Sequence, residues 1–474
     1  AKSNMETRIK TLLLNLPINI NDVSDYNGVL QPAGLSVISS FLKQQGCDVT
    51  LHDAFGYHEK RDKIITYVRK LNPEIIGVTL MTNHLPQTLP FLKEVKLLFP
   101  DILTVVGGAH PSAAYESLLQ NSKEVDVAVI GEGEYTMLDL IKKVQNGESF
   151  DQVKGIAWRP NGKVRVNPFR EYIQDLDSLP FSDWESLPME NYFDVWTIKK
   201  NYANMVLSRG CPFGCTFCGA KNALGKKQRK RSPEHILEEI KLLHDTYNVR
   251  NLLFSDSTLN VDNQWVQEIC EGLLRLNKSL VWGCNIRADR IDRETLKLMK
   301  KSGCIKLFIG VESADNRILK SIRKGENIEK IEEGIRLINE AGLIPDMGFI
   351  LGMPGETEES MKRTIEFSKR HKKSVCAFTL ASPFPGTEFY EDAKKEGFMV
   401  EDWSKFDIYS IAYIPKGLTR KKLEQYYQLA VKSNYLRFSY FYRQIFQIKS
   451  WVNFKIYLRL AYRIFFHRLL KLEH

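Results

Sequence analysis

Three cysteines, Cys211, Cys215 and Cys218, stand four and three residues apart in Arg209-Gly210-Cys211-Pro212-Phe213-Gly214-Cys215-Thr216-Phe217-Cys218. Thiolates at this spacing can wrap one face of a cubane [4Fe–4S] cluster and leave the fourth iron without a protein ligand. An open iron is a place for a substrate or cofactor. The competing reading is a zinc knuckle, but structural zinc sites are closed by four ligands, and no Cys or His follows at knuckle spacing. The chain of 474 residues has eight cysteines, and the other five (Cys47, Cys270, Cys284, Cys304 and Cys376) are scattered as small buried hydrophobes would be. A tight trio in a chain this long points to metal in a reducing compartment rather than to a disulfide framework.

The elements that must position this loop recur at wide spacing after residue 200. Apolar runs near 205–208, 251–255, 281–286, 306–310, 347–351 and 377–381 predict six βα units, a partial barrel whose site lies at the carboxyl ends of its strands. The cysteine loop follows the first of these runs. Upstream, strands are expected at 10–14, 49–53, 75–79, 104–106 and 125–130, with helices at 35–45, 61–71, 90–99 and 135–144. That alternation predicts a five-stranded doubly wound sheet with its ligand crevice at the strand ends. Those ends carry Asp53, Thr79-Leu80-Met81-Thr82, Gly107-Gly108-Ala109-His110 and Gly131-Glu132-Gly133-Glu134, which suit a phosphate- or amide-bearing ligand. Gly155–Trp158 and Val164–Val166 flank Pro160-Asn161-Gly162, a hairpin signal. The expected division is therefore 1–150, a linker with a small hairpin at 151–200, a barrel at 201–395 and a helical basic-aromatic region at 396–474.

The cysteine loop resembles that of the radical S-adenosylmethionine (SAM) superfamily, in which Cys-x3-Cys-x2-Cys follows the first barrel strand. The resemblance implies one cluster on Cys211, Cys215 and Cys218, whose free iron chelates the amino and carboxylate groups of SAM. One electron then cleaves SAM to methionine and a 5′-deoxyadenosyl radical. Phe217 matches the aromatic that lies against the adenine, with a core Phe as the alternative reading. Asp256, Arg287, Glu312 and Ser313 look like the family's remaining SAM contacts, since carboxylates and hydroxyls accept from the amine and ribose and a guanidinium meets the carboxylate. Gly352, in Gly348-Phe349-Ile350-Leu351-Gly352-Met353-Pro354-Gly355-Glu356, resembles the glycine-rich motif that lets backbone approach adenine. No acid or base is assigned.

The upstream domain resembles the cobalamin-binding module of the same superfamily's cobalamin-dependent class, through Gln31-Pro32-Ala33-Gly34-Leu35, Val105-Val106-Gly107-Gly108-Ala109-His110-Pro111 and Gly131-Glu132-Gly133-Glu134. The resemblance spans about residues 8 to 400. It implies an α/β chain with an N-terminal doubly wound, Rossmann-like cobalamin domain, a partial (βα)6 TIM-type radical SAM barrel and a helical C-terminal region. The implied cobalamin contacts are Pro32, Leu35, Asp53, Phe55, Thr79, Met81, Thr82, Gly107, Gly108, His110, Gly131, Glu132, Gly133 and Glu134. One departure has chemical weight. The histidine-ligating motif Asp-x-His-x-x-Gly is absent, and in His52-Asp53-Ala54-Phe55-Gly56 a phenylalanine stands where the ligating His would be. Cobalt is thus expected to lack a protein imidazole on its lower face, which alters its redox and methyl-donor properties. A flavodoxin-like fold without cofactor is the alternative; a nicotinamide site is disfavoured because no Gly-x-Gly-x-x-Gly follows the first strand.

The resemblance implies an enzyme that methylates an unactivated carbon, with cyclisation, oxidation or rearrangement by the same cofactors, or a cobalamin sensor without turnover, as alternatives. It also implies an electron donor such as flavodoxin or ferredoxin. From 415 to 474 thirteen Lys or Arg face two Glu, so this segment carries the whole chain's excess of +10. Twelve aromatics interleave with these cations between Tyr435 and Arg468. Such a segment can pack its rings on the barrel, lie in a membrane interface, or stack on bases; the last is disfavoured because the remaining chain lacks a basic face. The interfacial reading suits a lipid-like or isoprenoid small-molecule substrate. With no apolar run of signal-peptide or membrane-spanning length, the expected location is cytoplasmic, peripheral at the inner membrane face, with no nucleic-acid partner.

Overall fold

The computed structural model describes residues 8–17, 28–194, 196–199, 201–372, 374–396 and 398–435, with 451, 454, 455 and 458 beyond them. Its first half alternates β1 (Lys10–Asn15), α1 (Ala33–Gln44), β2 (Asp48–Asp53), α2 (Arg61–Leu71), β3 (Ile75–Thr79), α3 (Leu85–Leu98), β4 (Leu103–Gly107), α4 (Ala109–Asn121), β5 (Val127–Val129) and α5 (Glu134–Asn146). These strands are parallel in the order β2-β1-β3-β4-β5. The order reverses between β1 and β3, so the crevice opens at the carboxyl ends there. Because strand side chains alternate between faces, Leu12 and Leu14 enter one core and Leu13 the other.

The expected hairpin forms, but it is part of the sheet rather than of a free connection. β6 (Ile156–Trp158) pairs antiparallel with β5, and β7 (Arg165–Val166) pairs antiparallel with β6, so the sheet has seven strands where five were expected. α4 was not foreseen, and α3 begins five residues before the expected 90, running through Pro90.

The second sheet contains β8 (Tyr202–Met205), β11 (Asn251–Phe254), β12 (Val281–Ile286), β13 (Cys304–Glu312), β14 (Ile344–Leu351) and β15 (Val375–Leu380), neighbours in that order and all parallel. Between β8 and β11, β9 (Ser208–Arg209) and β10 (Arg229–Lys230) form a separate antiparallel ribbon that closes the base of the cysteine loop. The helices between and after these strands are α6 (Ala220–Leu224), α7 (Pro233–Tyr247), α8 (Asn263–Leu276), α9 (Arg293–Lys301), α10 (Asn316–Ser321), α11 (Ile328–Glu340), α12 (Glu358–Arg370), α13 (Glu388–Glu396) and α14 (Arg420–Tyr435). Polar caps set several of their starts: Ser232, Asp262, Asp292, Asn327 and Thr357 each accept a backbone N–H from the first turn. α14 is fixed to the barrel, since Tyr426 donates to Glu358 (3.0 Å) and Asn434 to Ser368 (3.0 Å). Most of the basic-aromatic segment lies outside the described residues.

The two sheets share one apolar core. Leu13, Leu35, Val105 and Met137 belong to the same contiguous cluster as Tyr202, Met205, Phe254 and Leu307. Polar ties reinforce it: Gln31 donates to the Tyr202 carbonyl (2.7 Å) and accepts from the Asn204 N–H (3.0 Å), while Tyr192 donates to Asp53 (2.5 Å).

Candidate functional site

A cavity of about 290 Å³ lies where the carboxyl ends of the first sheet face those of β8 and β11 in the second. Gly77, Gly107, Gly108, Gly131 and Gly133 line it beside Leu13, Val105 and Val129 of the same sheet. A Cβ on Gly133 would lie 2.7 Å from Ile38 Cδ1, and one on Gly108 would lie 3.2 Å from the Leu80 carbonyl oxygen. Gly108 has φ +108°, a conformation L side chains rarely adopt. Leu35 and Ile38 of α1 and Met137 of α5 make the apolar wall, while Met205, Ser255 and Asp256 face it from the second sheet, and Ser208 and Arg209 from the β9–β10 ribbon. Ser255 Oγ is buried with no hydrogen-bond partner. A lining with five glycines, an apolar wall and an unpaired hydroxyl fit a bulky, amide-bearing ring system.

Of the residues singled out for this domain, Leu35, Thr79, Gly107, Gly108 and Gly131 to Glu134 line the cavity, and the others do not. Pro32 caps the start of α1. Asp53 is fully buried by Asn15, the Gly56 N–H and Tyr192, and burial raises its pKa. Met81 is exposed, and Thr82 bonds the His110 ring (3.0 Å), which meets Trp403 edge-on. Burial depresses His110 to about 4, so it is neutral. Phe55 packs half-buried against the shared core, and neighbouring His52 is held by Glu59 (2.7 Å) and stacked on Tyr67. One histidine that sequence reasoning passed over, His235, does line the cavity. Its Nδ1 lies 3.0 Å from Arg231 Nε and 3.3 Å from Asp177 Oδ1, and burial and the Arg231 guanidinium lower its pKa against the pull of Asp177.

Glu132 and Glu134 reach the cavity, yet their carboxylates are engaged. Glu132 Oε1 accepts from Arg209 (3.0 Å) and Arg229 (2.8 Å), its Oε2 accepts from the Ile173 N–H (2.7 Å), and Glu134 accepts from Arg209 (2.5 Å). These are bonds to the ribbon under the cysteine loop. No local sequence signal marks Arg209 and Arg229 as their partners.

The loop itself is held by backbone bonds from Cys211 N to the Gly225 carbonyl (3.2 Å) and from Thr216 N to that of Ile322 (3.0 Å). All three thiols are partly buried. Burial pushes the Cys215 and Cys218 thiols up, with Lys324 opposing, so thiolates here need added positive charge, which bound iron would supply. Among the described residues no group of three or more His, Cys, Asp or Glu gathers closely enough for one metal ion. Phe217 is half-buried against the core, and Phe213 lies 3.9 Å from the Arg287 guanidinium.

Asp256 is fully buried, accepts from the Leu207 N–H (3.2 Å) and the Ser208 hydroxyl, and is pushed up to about 6 by burial. Arg287 spends its donors on Asp289 (3.0 and 3.2 Å) and the Lys324 carbonyl (2.9 Å), with the Glu326 carboxylate 3.5 Å away as an ion pair. Lys324, unnoticed in the sequence, bonds Glu312 (3.1 Å), which sits at φ +65°. Ser313 turns away, its hydroxyl against Thr364 (3.3 Å) and the Asp315 N–H (3.2 Å). Gly352 has φ +87° and donates its N–H to Glu356.

Residues 205–368 match the radical SAM superfamily profile, and residues 22–141 match the B12 binding domain. An uncharacterized methyltransferase of Pyrococcus horikoshii is 28% identical over 442 residues, covering 93% of this chain and 95% of its own. The anaerobic magnesium-protoporphyrin IX monomethyl ester cyclase of Rubrivivax gelatinosus is 30% identical, covering 86% of this chain and 73% of its own. Among solved structures, the radical SAM methyltransferase TsrM of Kitasatospora setae, with cobalamin and a [4Fe–4S] cluster bound, superposes with TM-score 0.71 at 16% identity, covering 90% of this chain and 89% of that one.

Proposed function

The chain belongs to the radical SAM superfamily, in its class with a cobalamin-binding domain, and on that premise we propose that it methylates an unactivated carbon of a hydrophobic substrate. The supporting observation is the single cavity bounded both by the glycine loops of the first sheet and by Ser255 and Asp256 at a strand end of the second, with Ser208 of the ribbon. In this reading Cys211, Cys215 and Cys218 hold the cluster, and Leu35, Thr79, Gly107, Gly108, Gly131 and Gly133 cradle the corrin. When bound, the cluster supplies one electron to SAM, and cobalamin supplies a methyl group. The chain's own part is to exclude water with the apolar wall of Leu35, Ile38 and Met137, and to fix Ser208 through the buried Asp256. The charge and aromatics after residue 415 support a membrane-resident, lipid-like substrate. An electron donor is a further requirement of the chemistry.

A second reading, ring closure or oxidation with the same cofactors, is favoured by the 30% identity to a cyclase. Incubation of the anaerobically reconstituted chain with methyl-labelled SAM and host extract separates the two. Label in a new product is expected. Deoxyadenosine with an unlabelled product would establish the second reading, and intact SAM over a reduced cluster would leave only a cobalamin sensor.

A further inference from the structure

Arg209 and Arg229 are register partners across the β9–β10 ribbon, one immediately before Gly210-Cys211 and the other just after the loop returns. Two like charges held side by side repel unless compensated. Glu132 bonds both, and Glu134 takes the second prong of Arg209. The four side chains are nearly solvent-free, the carboxylates 5% and 3% exposed and the guanidinium-bearing chains 13% and 4%. Water therefore cannot take over for a lost partner.

The same two carboxylates sit on the Gly131–Glu134 loop that lines the cavity, beside the glycines the proposed ligand would press against. Arg229 also reaches the far end of the cysteine loop, donating to the Leu224 carbonyl (2.8 Å), and its guanidinium lies over the Tyr172 ring at 4.9 Å. Tyr172 closes against Gly225, where a Cβ would come within 2.9 Å of the ring, and a Cβ at Gly210 would run into the Lys227 carbonyl oxygen. Cavity loop, ribbon and both ends of the cysteine loop thus form one packed, charge-balanced unit.

We infer that Glu132 and Glu134 are positioning residues that clamp the cysteine loop to the cavity lining, so that occupancy of the cavity and retention of the cluster are energetically coupled. This rests on the proposed cofactors. Coupling between two sites is reciprocal, so it can be read from either side. The full chain, with and without reconstituted cluster, is titrated with hydroxocobalamin, and iron release to a chelator is timed with and without hydroxocobalamin. The unaltered chain should bind hydroxocobalamin about fivefold or more tighter when the cluster is present, and hydroxocobalamin should slow iron release. In the double variant Glu132→Gln/Glu134→Gln both cofactors should still bind, with the affinity ratio falling to about one. Equal affinities in the unaltered chain, or an unchanged ratio in the variant, would overturn the clamp. Should the double variant precipitate, Arg209→Lys, which keeps the charge but loses the two-pronged contact, must lower the ratio; an unchanged ratio there overturns it equally. A chain that binds no hydroxocobalamin or no cluster would instead count against the proposed function.

Discussion

Glu356 ends the turn after β14 fully buried, its carboxylate accepting from the N–H groups of Gly352 and Met353. Burial outweighs those bonds and pushes its pKa up to about 8 from an ordinary 4.5. Between these values the folded chain keeps a proton that the unfolded chain has released. The stability associated with this group is therefore full below about pH 4.5 and lost as pH rises to about 8. Glu356→Gln should flatten that part of the profile, by on the order of 1 kcal/mol or more between pH 5 and 8 in urea titrations; an unaltered slope would mean the group ionises freely. A second outcome concerns cobalt. With Phe55 in the motif position, His52 and His110 bonded elsewhere and His235 held at Nδ1 by Arg231, the cob(II)alamin form should show no nitrogen superhyperfine splitting from a protein imidazole in its paramagnetic resonance spectrum. Such splitting, lost in His235→Ala, would identify His235 as a ligand after all. The cysteine trio and Phe55 were noticeable in the sequence because they stand in short local motifs, their roles toward cluster and cobalt being proposals. Arg209 and Arg229 were not, because their partners are 75 to 97 residues away.

Strands were the most readable elements, since those buried on both faces are unbroken apolar runs with sharp ends. α4 escaped because His110-Pro111-Ser112 reads as a breaker, and the helix indeed kinks at Ala114, where φ is −137°. Its Pro111 is tolerated because it falls in the first turn, where backbone N–H groups have no partner in the helix. The hairpin was recognised from its turn, but its attachment to β5 depends on an edge that only the assembled sheet presents. Gly108 joins β4 to α4, and there a side chain would meet both strain and the Leu80 carbonyl. Gly108→Ala should destabilise the chain by about 1–3 kcal/mol and weaken hydroxocobalamin binding. Gly147→Ala is the control: Gly147 caps α5 at φ +63° with nothing within 4 Å, so it should cost stability but leave hydroxocobalamin affinity unchanged. Equal affinities for all three proteins would remove Gly108 from the binding surface.

At the scale of the whole molecule the basic segment splits in two. α14 is anchored on α12, so a truncation meant to isolate the segment should end after Tyr435 rather than before Arg420. Among the described residues no helix is long and apolar enough to cross a membrane. The full chain should co-sediment with anionic vesicles, more weakly as salt rises, with about 1 kcal/mol per engaged Lys or Arg, and the chain ending at 435 should stay in the supernatant. Equal behaviour of the two would dismiss the lipid-like substrate. The apolar cluster common to both sheets has a practical corollary for anyone expressing the halves apart. Cutting the chain near residue 200 would divide that cluster, leaving each fragment with a raw, water-facing patch. Such fragments should aggregate when made singly and regain solubility when co-expressed.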